Sequence, residues 1–102
     1  MLVEMLMEKA ERVAELLKII ANKNRLLILC ALSEGARTVR EIHDFTPDIS
    51  LSALSQHLTF LRTAGLLSSE KSGQYVRYAI ADERVVELLK ALKKYYCDEE
   101  IS

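Results

Sequence analysis

Apolar residues recur at helical spacing from about Val3 to Ala21, with Leu6, Val13, Leu16, Leu17 and Ile20 on one side and Glu8, Glu11, Glu15 and Lys18 on the other. Asn22-Lys23-Asn24 breaks the pattern. A second helix is expected from Arg25 to Ser33, apolar on almost every side, which places it in the middle of a core. Gly35 stands where its C-terminal cap should be. Thr38-Val39-Arg40-Glu41 has the S/T-x-x-E form of a capping box, so a short third helix should start at Thr38 and end near Phe45, ahead of Pro47. Ser50 can cap a fourth helix through Leu54, Leu58 and Leu61 to a stop at Gly65.

Beyond Gly65 the period changes. Leu66–Glu70 and Tyr75–Ile80 flank Lys71-Ser72-Gly73-Gln74 and read as a β-hairpin. Asp82 then caps a last helix carrying Val85, Val86, Leu88, Leu89, Leu92 and Tyr96. The predicted order is ααααββα, mostly helical with a small hairpin.

With 102 residues, half of them apolar and 28% charged, residues 1–102 read as one domain that can build a core yet is marginal alone. Surplus apolar surface on the last helix points to a homodimer built on the first and last helices. No apolar run reaches the ~20 residues of a membrane span, and Met1–Lys9 lacks the basic start of a signal peptide, so a cytoplasmic location is expected. Two cysteines make no disulfide scaffold. A glycine-rich phosphate loop, a serine nucleophile elbow and a carboxylate–histidine group are all missing, which argues against an enzyme, and nothing calls for a cofactor.

The net charge of −1 gives no support to nucleic-acid binding, but its distribution is uneven. From Ser50 to Tyr78, Arg62, Lys71 and Arg77 face only Glu70, whereas acids outnumber bases from Ala79 onward. In that basic stretch, a turn containing proline leads into a helix with Leu51, Leu54 and Leu58 on one stripe and Ser52, Ser55, Gln56 and Thr59 projecting from the other. That is the pattern of the second helix of a helix-turn-helix. Short hydroxyls allow close approach to phosphates, and glutamine can bond an adenine edge at two points. His57 and Arg62 lie on the same helix, and Lys71, Gln74 and Arg77 would form a wing beside the same groove. Plainer readings stand beside these: Ser50 as a cap, His57 packed under its helix, Arg77 as a solvated strand residue. A protein-interaction module that never meets DNA is the rival, and a salt-dependent gel shift separates the two.

Asn22–Leu29, Thr38–Ile42, the run Leu54-Ser55-Gln56-His57-Leu58-Thr59-Phe60-Leu61-Arg62-Thr63-Ala64-Gly65-Leu66 and the Arg77-Tyr78 strand together resemble the ArsR/SmtB family over nearly the whole chain. The resemblance implies a dimeric winged helix-turn-helix repressor on palindromic operator DNA. Lys23 departs from the proline common in relatives, and the Pro47-Asp48-Ile49 loop is slightly long. Many relatives respond to metals. Here Thr38 and Arg40 stand where soft-metal cysteines would be, and Asp82 matches a second site that Arg84 and Tyr95 leave without imidazoles, so no metal site is expected. His43 and His57 have no companions.

The cysteines are the stronger lead. Cys30 in the second helix and Cys97 at the end of the last one resemble the pair in the thiol-based, persulfide- and oxidant-sensing branch of the family. That resemblance implies a reversible di- or polysulfide that lowers DNA affinity. Cys30 also reads as a small core hydrophobe. Around Cys97, Lys93 and Lys94 favour the thiolate, while the helix C-terminus and Asp98, Glu99 and Glu100 oppose it. A regulator that senses a metal, or has no direct inducer, is the alternative.

Overall fold

Asn22 ends the first helix and starts the second, its side chain accepting the Arg25 N–H at 3.0 Å. The computed structural model describes residues 2–97. α1 (Leu2–Ile20) and α2 (Lys23–Leu32) are followed by β1 (Arg37–Thr38), α3 (Val39–Phe45), α4 (Leu51–Thr63), β2 (Leu67–Ser72), β3 (Tyr75–Ile80) and α5 (Glu83–Tyr96). Lys23 is the first helical residue of α2, a position where a proline would fit without cost, so its replacement by lysine leaves the helix start intact.

α2 is the central element. Ile28 and Leu29 are fully buried, and Leu54, Leu58 and Leu61 of α4, Ile42 of α3 and Leu89 and Val85 of α5 join them in one cluster. α4 begins at Ser50, which accepts the Ala53 N–H at 3.1 Å. It ends in a Schellman turn: Gly65 N–H donates to the Arg62 carbonyl and Leu66 N–H to that of Leu61, both at 3.0 Å. Gly65 has a φ of +87°, open to glycine at little cost.

The structure differs from the sequence reading in several places, beginning with α2, which starts at Lys23 and not at Arg25 because Asn22 alone supplies the cap. A third strand, β1, pairs antiparallel with β3, giving the sheet order β1-β3-β2 and the element order ααβααββα. Two residues carry no alternation to read. Lys71 and Ser72 belong to β2, not to the turn, because Ser72 pairs with Tyr75 and Gly73, at φ +63°, makes the reversal with Gln74 alone. Leu66 precedes the strand, its carbonyl accepting the Ala81 N–H at 2.8 Å.

The surplus apolar surface lies mainly on α1, with the end of α5 sharing it. On α5, Val85 and Leu89 are buried in the core, and Leu88 and Leu92 pack against it. On α1 only Ile20 is buried, while Leu2, Val3, Met5, Leu6, Met7 and Val13 are each at least half exposed. α5 ends with Tyr95 and Tyr96 exposed.

The Thr38–Glu41 capping box forms in full: Glu41 N–H donates to Thr38 Oγ1 at 3.2 Å, and Thr38 N–H donates to Glu41 Oε1 at 2.9 Å. The same carboxylate lies 3.6 Å from Arg77 Nη1, so one acid joins the start of α3 to the central strand. The Thr38 amide, then the Thr38 side chain, and more weakly Arg77 hold the Glu41 carboxyl below the usual carboxylate range. A carboxyl with a lowered folded-state value stabilises the fold at pH above its ordinary range, and that contribution disappears as pH falls through the lowered value. Glu41→Ala is therefore expected to melt below wild type at neutral pH, with the gap closing on acidification. Thermal melts across that range check this, and a gap independent of pH would refute it.

Candidate nucleic-acid interface and cysteine pair

Burial of Leu54, Leu58 and Leu61 fixes the rotation of α4 and turns Ser52, Ser55, Gln56, Thr59 and Arg62 outward, all of them exposed. They run along about 15 Å of helix, at 1.5 Å per residue from Ser52 to Arg62. Ser50 sits at the N-cap with its oxygen already accepting a backbone N–H, and His57 is half-buried on the flank of the helix. Arg62 Nη1 donates to Ser69 Oγ at 3.3 Å, joining the end of α4 to the base of the hairpin.

The turn before α4 is held from below. His43 Nε2 lies 2.8 Å from the Ile49 carbonyl, buried Thr46 donates its hydroxyl to the Ile42 carbonyl at 3.2 Å, and Ile49 itself is buried. Proline and two residues beyond it thus form a braced turn between α3 and α4.

In the hairpin, Lys71 and Gln74 are exposed, Lys71 on β2 and Gln74 in the reversal. Arg77 is also exposed, but its guanidinium is engaged by Glu41 and its strand position pairs with both Glu70 and Thr38. A cleft of about 490 Å³ runs between the start of α3, Leu51 and the hairpin, with Arg40 and Gln74 among its walls.

Two cations near this face have no signal in the sequence pattern. Arg40 lies exposed in the first turn of α3. Arg25, from the start of α2, stacks over the Phe60 ring at 4.6 Å, beside the shallow surface formed by Ser55, Gln56, Thr59 and Phe60. Arg25 and Phe60 are too far apart in sequence for any helical or strand period to relate them.

The cysteines lie at the other end of α2. Cys30 is half-buried and Cys97 exposed, and both are free thiols. α5 packs against α2, and the Cys97 N–H closes its last turn on the Lys93 carbonyl at 2.9 Å. Burial pushes the Cys30 thiol up, the Lys93 ammonium draws it back, and Cys97 adds to the upward push. Asp98, Glu99 and Glu100, read as opposing the Cys97 thiolate, lie outside the described residues. At the positions weighed for metals, Thr38 caps α3 while Asp82 pairs with Arg84 at 2.8 Å. Among the described residues no three of His, Cys, Asp and Glu converge, and no helix is long and apolar enough to cross a membrane.

Residues 22–69 match the bacterial regulatory protein family named for arsR. The transcriptional regulator YgaV of Escherichia coli is 39% identical over 92 residues, spanning 90% of this chain and 93% of that protein. The structure of reduced HlyU from Vibrio cholerae superposes with a TM-score of 0.83 at 35% identity, covering 92% of this chain and 98% of that one. A homodimeric winged helix-turn-helix DNA-binding domain from Mycobacterium bovis superposes at 0.70 with 33% identity, covering 92% and 85%. The braced turn, the outward polar face of α4 and the hairpin beside it are thus the winged helix-turn-helix of a transcriptional regulator, and the chain belongs to the ArsR family of DNA-binding regulators, which are not enzymes.

Proposed function

We propose that this chain is a cytoplasmic repressor that binds a palindromic operator as a homodimer and releases it when Cys30 and Cys97 join through a di- or polysulfide. The observation that carries the thiol reading is the placement of the two cysteines on the packed helices α2 and α5, with Lys93 of α5 drawing on the Cys30 thiol. In this reading the chain acts as one winged helix-turn-helix unit whose first and last helices form the dimer interface. The exposed apolar residues of α1, with Tyr95 and Tyr96 of α5, are the surface a second copy would cover. Two-fold symmetry would set the recognition helices about one helical turn of DNA apart, ~34 Å. Sedimentation is expected to show a dimer at micromolar concentration, and a folded monomer there would overturn this part.

Operator readout is assigned to Ser52, Ser55, Gln56, His57 and Thr59 in the major groove, with Ser50 and Arg62 at the two ends of the helix facing phosphates. Lys71, Gln74 and Arg77 support from the wing. Gln56→Ala should cost about 1–3 kcal/mol of binding and relax preference at one base pair. Lys71→Ala should weaken binding to every sequence and flatten the salt dependence by about one unit of slope. Titrations at several salt concentrations on matched and altered operators distinguish the two. Unchanged affinity and preference in Gln56→Ala would displace the readout from α4.

For the switch, a bridge between the end of α5 and the last turn of α2 would pull on the helix assigned to the dimer interface and so change the spacing of the two recognition helices. A direct disulfide needs Cα atoms within ~7 Å, and inserted sulfur atoms lengthen that reach. A fall of ~100-fold in affinity, about 2.7 kcal/mol, is enough for control. Persulfide treatment is expected to link the cysteines by mass spectrometry and to release DNA from wild type but not from Cys30→Ser or Cys97→Ser. Release from both variants as from wild type, or no Cys30–Cys97 link in wild type, would overturn the thiol switch and leave a repressor with some other input.

A further inference from the structure

Cys30 and Cys97 differ in access, one half-buried and the other exposed, and Lys93 links the end of α5 to the end of α2. Lys93 is one helical turn before Cys97 and is bound to it through the backbone. Its side chain, only 32% exposed, crosses to the end of α2, where Nζ lies 3.4 Å from Ser33 Oγ and 3.4 Å from Glu34 Oε1. Ser33 in turn donates its hydroxyl to the Cys30 carbonyl at 2.7 Å. An ammonium two-thirds withdrawn from water is thus held against the same turn of α2 that carries Cys30, where its charge is screened less than in open solvent.

We infer that Lys93 is a positioning residue for the cysteine switch, its ammonium holding the negative charge of Cys30 while Cys30 attacks Cys97 Sγ. This rests on the thiol reading proposed above and adds an order of events to it. Exposed Cys97 reacts first: its thiolate attacks the sulfane sulfur of a low-molecular-weight hydropersulfide, RSSH, which leaves as the thiol RSH and makes Cys97 a persulfide. The Cys30 thiolate then attacks the Cys97 sulfur and expels HS⁻. Two protein thiols lose two electrons, the incoming persulfide takes them up, and the products are one disulfide, RSH and H₂S.

The second step is the one that needs help. Burial works against a Cys30 thiolate, and Lys93 is the cation that works for it. Glu34 partly neutralises that ammonium at 3.4 Å, so the device has a restraint that can be removed without touching either cysteine.

The test isolates Cys30 in a Cys97→Ser background and reads its alkylation rate by iodoacetamide together with thiolate ultraviolet absorbance. Lys93→Met is expected to slow alkylation by about three- to tenfold and lower the absorbance, as loss of one nearby opposite charge should. Lys93→Arg should restore most of the rate, and Glu34→Gln should raise it above the parent. A rate unchanged in Lys93→Met, or an Arg variant as slow as Met, would overturn the role of Lys93. Should Lys93→Met fail to fold, Glu34→Gln decides alone, since an exposed acid is replaced and an unaltered rate refutes the inference. With both cysteines present, glutathione persulfide separates the two levels. No Cys30–Cys97 link in wild type overturns the switch itself, whereas a link formed at the wild-type rate in Lys93→Met overturns only the part assigned to Lys93.

Discussion

The leucine stripe of α4 is the constraint on which the DNA-binding face depends. Leu54, Leu58 and Leu61 have essentially no exposed surface and meet Ile28 and Leu29 of α2 in a single cluster. A side chain so enclosed has no alternative packing of equal density, so α4 cannot roll about its axis without opening a cavity. The outward direction of Ser52, Ser55, Gln56 and Thr59 is then a consequence of what faces inward. The Schellman turn at Gly65 carries the same precision into the wing, because buried Leu66 follows it directly and buried Leu67 opens β2.

Electrostatics modify this frame rather than build it. Several cations are engaged within the chain: Arg77 by Glu41, Arg84 by Asp82, Lys93 by Glu34, and Arg37 with its Nε donating to the Ala31 carbonyl at 2.6 Å. Exposed pairs of this kind contribute little to stability. Their larger effect is to hold charged groups in fixed places on the surface, Arg77 on the hairpin among them. A chain with a net charge of −1 meets DNA through local placement, and a symmetric dimer would present every exposed cation twice along the duplex.

Much of this architecture was legible because it is local. Helical period, the Thr38-x-x-Glu41 box, the caps at Ser50 and Asp82 and the stop at Gly65 each involve residues within a few positions of one another, and all of them appear in the structure. β1 escaped because two residues have no period, and its pairing with β3 joins Thr38 to Arg77 across most of the helix-turn-helix. The same separation hid the second partner of Glu41 and the stacking of Arg25 on Phe60. Composition does not say which face a core will use, so the sequence alone cannot locate the apolar surplus on one helix. Val85 and Leu89 are buried in the core, and the unpartnered surface is mainly on α1, with Tyr95 and Tyr96 at the end of α5. Of the proposed site, the outward residues of α4 follow from periodicity alone, while the Lys93 contact joins residues sixty positions apart.

The central place of α2 bears on how a chemical signal at one end could reach DNA at the other. This one helix packs against α5, which ends in Cys97, and against α4, whose far face is assigned to the operator. Its buried side chains leave little free volume, so a displacement at its C-terminal turn is not absorbed inside the core. The yielding surface is the one with the least internal packing, namely α1 and the exposed end of α5. If a second copy covers that surface, a bridge between Cys30 and Cys97 acts on the relative placement of two rigid halves and leaves each recognition helix intact. Affinity would then fall because a palindrome demands a fixed separation, which neither protomer can correct by refolding its own reading head.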